Sequence, residues 1–290
     1  MTVVRSTGPL DLDLAPPQGH RTSRRATRHG PIAQLLIAWS PLSLLLLAYA
    51  VAGWVSAPLH ADGVAAGSRN RIGAALHTTA PADADRWLFG TLPSSWLQER
   101  LHDGGAHWYD AVGALVYATH FVAIPVLTAV VWFALRACFT RWLVTLLAFT
   151  LVGIGGYVVY PASPPWMTYG DGPHGVQRLS ALGWEQLHLQ PVADLLGLAQ
   201  GISNPVAAMP SLHAGSALLV TLFLWPVVGR AARAALAAYV LLMGLTLVYT
   251  GEHYVVDVLA GWATAVVAVL TGALVARAVS RRRAPTAPRT

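Results

Sequence analysis

The 290 residues contain no lysine, a single cysteine, and only 11% charged side chains. The lone Cys138 excludes an intramolecular disulfide and any Cys/His zinc cluster. Soluble domains carry about 25% charged residues and roughly 45–50% apolar ones. Here the hydrophobic fraction is 55%. A soluble fold could not hide that excess, so a single soluble globular enzyme is excluded. Disorder is excluded as well, except at the two ends. All nineteen basic residues are arginine and the formal charge is +6. Such a balance fits either nucleic acid or an anionic membrane surface, and the positions of the arginines decide between them.

Charge is absent over long stretches. None lies between Arg28 and Asp62, Asp110 and Arg136, Arg141 and Asp171, Asp194 and Arg230, Arg233 and Glu252, or Asp257 and Arg277. A bilayer core about 30 Å thick needs about 20 apolar residues per helix, and each gap supplies one. The spacing predicts an all-α polytopic membrane protein, a six-helix bundle. Its spans fall near residues 31–54, 111–135, 142–160, 207–228, 233–249 and 254–279. Six spans put both termini on one side. With the termini inside, fourteen arginines lie on inner segments. Only five (Arg69, Arg71, Arg86, Arg100 and Arg178) lie on outer loops. This positive-inside bias places the termini in the cytoplasm of a cell whose plasma membrane holds the chain. It also accounts for the basic charge without nucleic acid.

The expected organisation is a flexible basic tail over 1–30, a membrane domain over 31–279 and a second basic tail over 280–290. The first apolar run is longer than a signal-peptide core and lies about 30 residues in, so it reads as a retained span. Two outer loops carry signals for interfacial helices. One is 83–101, with Trp87, Leu88, Phe89, Leu92, Trp96 and Leu97 among polar residues and a capping-box pattern at Ser95 and Gln98. The other begins near Pro191, as N1 of a helix with Val192, Leu195 and Leu196 on one face.

Polar residues within spans are costly and mark functional sites. Four helix ends converge on the outer surface. The third span ends in Tyr160-Pro161-Ala162-Ser163-Pro164-Pro165-Trp166. The fourth begins with Asn204-Pro205 and runs through Met209-Pro210-Ser211-Leu212-His213-Ala214-Gly215. The fifth ends at Tyr249-Thr250-Gly251, and the sixth opens with Glu252-His253-Tyr254 and then Asp257. His253 and Asp257 are four apart, which puts them on one helical face. A carboxylate on one imidazole nitrogen fixes the tautomer and leaves the other nitrogen free to attack. His213, from a facing helix, is then the candidate general acid.

The stretches from Asn204 to Gly215 and from His253 through Asp257 to Gly261 resemble the second and third signature motifs of the type-2 phosphatidic acid phosphatase superfamily. The Tyr-Pro-x-x-Pro-Pro-Trp element is similar to that of its inositol phosphorylceramide synthase branch. The resemblance covers roughly residues 83–279. It implies that His253 is a nucleophile forming a phosphohistidine, that Asp257 orients it, that His213 protonates the leaving oxygen, and that Ser211 donates to a phosphate oxygen. It implies no metal, no cofactor, and membrane lipids as substrates. The implied function is phospho-head-group transfer between lipids. The alternatives are hydrolysis of a lipid phosphate or a non-enzymatic membrane role.

Three cations of the phosphatase pattern are missing. Gly153 and Tyr160-Pro161 stand where its first motif has Lys and Arg-Pro, and Thr246-Leu247 where it has Ser-Arg before the nucleophile. Transition-state electrostatics needs a substitute. Arg178, alone in its outer loop, is the first candidate, and His174 and Asn204 are weaker ones. Glu252 is set aside because on a helix it points about a quarter-turn from His253. His120, in mid-span, reads as an interhelical hydrogen bond. Gly153, Gly155 and Gly156 read as packing residues, and Cys138 as inert.

Overall fold

The computed structural model describes residues 31–60, 65, 67–170, 175–201 and 203–283. The chain divides into two units, Met1–Trp39 and Ser40–Thr290. In the first, the described residues are 31–39, which open a helix. The second is all-helical among its described residues. The elements in order are α1 (Pro31–Ser56), α2 (Ala80–Phe89), α3 (Pro93–Leu101), α4 (Trp108–Phe133), α5 (Phe139–Val159), α6 (Pro165–Tyr169), α7 (Leu182–Gln186), α8 (Gln190–Gly201), α9 (Leu212–Leu224), α10 (Arg230–Tyr249) and α11 (Val255–Arg283). The expected tail at 1–30 lies outside the described residues. Of the expected tail at 280–290, residues 280–283 continue α11 and the rest lie outside the described residues.

Among the described residues, four helices are long and apolar enough to cross a membrane: Trp108–Phe133, Arg136–Val159, Arg230–Tyr249 and Val255–Arg281. Two further apolar helical stretches are shorter, Ser43–Leu59, which is the later part of α1 with the turn after it, and Leu212–Leu224. The expected fourth span, 207–228, is therefore corrected to the 13-residue α9. Prolines explain the shortening. Asn204 and Met209 each precede a proline and are pushed towards extended backbone. Pro226 follows the C-cap Trp225 and stops the other end. At about 1.5 Å per residue, α9 is shorter than a bilayer core is thick.

Large apolar side chains face outward along these helices. Leu46 and Leu47 are 62% exposed, Phe133 83% and Leu241 64%. Such continuous apolar surface is what hydrocarbon covers. Arginines stack on tryptophans at both ends of the bundle, Arg71 on Trp54 and Arg100 on Trp96 at one, Arg136 on Trp132 and Arg233 on Trp225 at the other. Amphipathic pairs of this kind suit the headgroup level.

Two buried clusters hold the bundle. Leu127, Trp142, Phe149, Leu219, Phe223 and Ala265 join α4, α5, α9 and α11. Nearer the site, Tyr117, Ala217, Val240, Met243, Leu247 and Val258 join α4, α9, α10 and α11. Small residues let α9 approach its neighbours. A Cβ on Gly261 would stand 2.1 Å from the Ser211 carbonyl oxygen. One on Gly153 would stand 2.3 Å from Leu212, and one on Gly156 2.5 Å from Pro210. Gly155 has nothing within 4 Å, so its expected packing role is corrected.

The 83–101 segment is helical, as two helices that turn at Gly90 in the left-handed region. The expected capping box is corrected: Pro93 opens α3, so Ser95 lies inside it, and Leu92 is the N-cap. Gln98 instead ties α3 to two other segments. Its amide donates to the carbonyls of Tyr249 (2.7 Å) and Gln177 (2.9 Å) and accepts from the Gln177 N–H (2.8 Å). In α8 the buried face is Val192, Ala193 and Leu196, while Leu195 is exposed.

Candidate active site

The connection from α10 to α11 is a tight turn at Thr250–Tyr254. Gly251 takes φ +74°, and the Glu252 and His253 amides return to the Leu247 carbonyl. Helix α11 then begins at Val255, so His253 sits just ahead of the helix rather than on its first turn. The four-residue spacing still brings the pair together. His253 Nδ1 lies 3.6 Å from Asp257 Oδ2, with His253 6% exposed and Asp257 fully buried. The same Asp257 oxygen accepts the Tyr254 N–H at 2.9 Å, which is the return arm of a capping box. The next two amides, of Val255 and Val256, donate to the Asp85 carboxylate of α2 at 2.8 and 3.0 Å. The orphan donors of this helix start are thus met by two carboxylates, a favourable arrangement against the positive end of the helix dipole.

Helix α9 starts beside this turn. Ser211 is its N-cap, and its buried Oγ accepts the Ala214 N–H at 3.3 Å. The Ser211 amide donates to the Asp257 carbonyl at 2.9 Å, which locks the two helix starts together. Two residues on, the His213 ring packs against Tyr117 (4.8 Å between centroids) and His120 (4.0 Å) of α4. Its centroid is 6.0 Å from that of His253. Among the described residues, His213 Nε2, His253 Nδ1 and Asp257 Oδ1 are buried without a hydrogen-bond partner. Buried polar atoms are nearly always bonded, so unmet ones on both histidines and on Asp257 make this cluster a candidate ligand site.

Arg178 belongs to this neighbourhood. Its guanidinium forms a fork with Glu252, Nε to Oε1 at 2.9 Å and Nη2 to Oε2 at 3.1 Å. It lies 4.6 Å over the Trp166 ring. Gln200 of α8 also donates to Glu252 Oε1, at 3.1 Å, and to Ser180 Oγ. The Tyr-Pro-x-x-Pro-Pro-Trp element thus acquires a structural meaning. It ends α5, starts α6 and delivers Trp166 beneath Arg178, with the Trp166 amide on the Gly251 carbonyl at 3.2 Å. Asn204 does something else with its acceptor. Its Oδ1 receives His60 Nε2 at 3.0 Å and the Val206 N–H at 3.2 Å. His174 lies outside the described residues.

Several residues of the site carry no motif. Glu252 was set aside on helical geometry, but the helix begins three residues later and the turn points its carboxylate at Arg178. Its place beside His253 was the available signal. Gln200 and Asp85 come from remote segments, and no spacing rule reaches them. His120 makes the expected interhelical bond, Nδ1 to Ser216 Oγ at 2.9 Å, and in addition packs on His213. Beside the site, Phe89, Trp96, Leu241, Leu245, Val258 and Trp262 line an apolar groove of about 560 Å³ between the α2–α3 turn, α10 and α11.

Residues 82–271 match the model of the PAP2 superfamily. The chain belongs to that superfamily. This PAP2 region starts in α2 and ends within α11, so it holds both histidines, Asp257, Arg178 and Asp85. Two curated relatives are similar to it. The phosphoinositol dihydroceramide synthase of Bacteroides thetaiotaomicron is 29% identical over 166 residues, 53% of each chain. The inositol phosphorylceramide synthase catalytic subunit of Schizosaccharomyces pombe is 29% identical over 196 residues, 62% of this chain and 43% of its own. The chain spans about half the length of the curated relatives it matches. No solved structure matches.

Proposed function

We propose that this PAP2 protein is a membrane phosphotransferase that moves a phosphoinositol-like head group between lipids through a phosphohistidine on His253. The observation that carries the reading is the cluster itself. Two imidazoles from facing helix starts lie 6.0 Å apart, and one of them has a buried carboxylate 3.6 Å from its Nδ1. With Nδ1 turned to Asp257, Nε2 is the nitrogen that attacks phosphorus. The P–N bond forms as the bond to the lipid leaving oxygen breaks, and His213 gives that oxygen a proton. His213 then takes the proton of an incoming hydroxyl, whose oxygen displaces Nε2 and regenerates the free histidine.

Arg178 fills the role of the missing cations. Glu252 and Trp166 orient its guanidinium, and Nη1 has no partner among the described residues. Ser211 contributes a hydroxyl at the start of α9. Asn204, engaged with His60, and His174 are subsidiary candidates for the same anion. The apolar groove takes a lipid chain, which suits its lining and its place beside α11. In this reading α1 and α9, the latter together with the non-helical residues on either side of it, complete six spans, both termini are cytoplasmic, and the site faces the extracytoplasmic side of the plasma membrane. The arginine asymmetry supports that orientation.

The test is an incubation of purified protein with phosphatidylinositol labelled in its phosphate, with and without lipid acceptors bearing a free hydroxyl. Label in a new, acceptor-dependent lipid is the expected result. Label released as inositol phosphate or free phosphate regardless of acceptor makes the protein a hydrolase, and unchanged substrate removes this donor class.

A further inference from the structure

We propose that Asp85 is a positioning residue for the nucleophile, holding the start of α11 and with it the His253–Asp257 pair from a separate interfacial helix. This inference rests on the reading of His253 given above. Asp85 is fully buried in α2. Both of its carboxylate oxygens are used, each on a different backbone amide of the first turn of α11, at 2.8 and 3.0 Å. The sequence separation is 170 residues, so this is a tertiary cap and not a local one. It acts two and three residues beyond His253, on the same turn whose Tyr254 amide is held by Asp257. A carboxylate that accepts two N–H groups fixes the helix start more tightly than a single neutral acceptor does. Displacements of about 1 Å at a reacting group cost on the order of 100-fold in rate. Without Asp85, two amides at the positive end of α11 lose their acceptor, and the turn carrying His253 is free to shift.

The charged form of Asp85 does this work. Burial is the main cause that raises its carboxyl from 3.8 to about 6, opposed by the two amide bonds and reinforced by the nearby Asp257 carboxylate. Among the described residues, the other titratable groups near it are Tyr254 and His253 ahead of α11, and on α2 Asp83 and Arg86, which bond to each other, with Arg86 also on Tyr169. Once protonated, Asp85 keeps one good acceptor oxygen and presents an O–H to two donors. The consequences for activity and stability have opposite signs. Between pH 3.8 and about 6 the native state binds a proton that the unfolded chain releases, so this group lowers stability as pH rises through that window. Positioning improves over the same rise. A loss of activity on acidification through pH 6 is therefore not explained by this group unfolding the protein.

The experiment compares wild type with Asp85→Asn in detergent or nanodiscs, using fluorescent phosphatidylinositol turnover from pH 5 to 8. Because His213 and His253 are present in both proteins, their titration cancels in the ratio of rates. The ratio of wild type to Asp85→Asn is expected to be about 10 or more at pH 7.5 and to shrink several-fold by pH 5. A ratio that stays constant with pH, or equal rates at pH 7.5, overturns the proposal. A substrate-free measurement covers the case in which Asp85→Asn fails to fold. Hydrogen exchange on wild-type protein should show protection of the Val255 and Val256 amides falling between pH 7.5 and 5, relative to amides in the middle of α11. Protection that is unchanged over that range overturns the assignment. A His253→Ala control separates the two readings: if it retains turnover, the nucleophile assignment fails, whereas an inactive His253→Ala with a wild-type-like Asp85→Asn removes the positioning role alone.

Discussion

At the start of α11, three consecutive amides end on carboxylates, Tyr254 on Asp257 and Val255 and Val256 on Asp85. At the start of α9, the cap is the neutral hydroxyl of Ser211, and His213 is held by the rings of Tyr117 and His120. Two histidines thus meet in one site from unlike surroundings. Negative charge beside His253 supports the positive charge that a ring acquires when it bonds to phosphorus. A neutral aromatic enclosure fixes the orientation of His213 without committing its Nε2, which suits a group that gives and takes a proton. In the proposed reading, what each helix start supplies gives two like residues different roles.

Substitutions that erase this difference should have the largest effects. Asp257→Asn removes the charge beside His253 and offers an amide that can hold the wrong tautomer. A loss of about 10⁴-fold in kcat is expected by analogy with the triad carboxylate of serine proteases. Steady-state turnover of labelled lipid measures it, and a loss under tenfold would place the charge elsewhere. His213→Ala should cost roughly 10²–10⁴-fold with an alkoxide leaving group. The loss should be much smaller with a p-nitrophenyl phosphoester, which departs without a proton. Equal losses on both substrates would mean that His213 does not act as an acid.

Arg178→Ala should lower kcat by about 10²–10³-fold, the scale for removing one donor to a developing anion. Arg178→Lys should recover only part of it, because a point charge cannot keep the fork to Glu252 while gripping a phosphate. Wild-type-like rates in Arg178→Ala would turn attention to Asn204 and His174. A smaller effect is expected where the two helix starts touch. Gly261→Ala puts a methyl 2.1 Å from the Ser211 carbonyl and must push α9 away from α11. About 100-fold in kcat with little change in KM is expected for a shift near 1 Å.

The membrane character, the long helices α4, α5, α10 and α11, and the convergence of four helix ends were legible in the sequence. All of these follow from charge-free length and from motifs a few residues long. Helix α9 was over-read because hydropathy does not see Pro205, Pro210 and Pro226 as backbone restraints. The Ser95–Gln98 pattern failed because Pro93 begins the helix earlier, which frees Gln98 to bond across to Tyr249 and Gln177. His253, His213 and Asp257, which the structure brings together, were marked by spacing and motif. Asp85, Gln200 and the orientation of Glu252 were not, since each depends on contacts between segments 52 to 171 residues apart. Periodicity carries no information at that range.

The division of labour between the two histidines is tested most directly by trapping the intermediate. Wild-type protein and the His253→Ala and His213→Ala variants would be mixed with lipid labelled at its phosphate, quenched in base within milliseconds, and digested for peptide mapping. Acid-labile, base-stable label on the peptide containing His253, absent in His253→Ala and still present in His213→Ala with a good leaving group, is the predicted result. Label on the His213 peptide, or undiminished label in His253→Ala, would contradict the assignment.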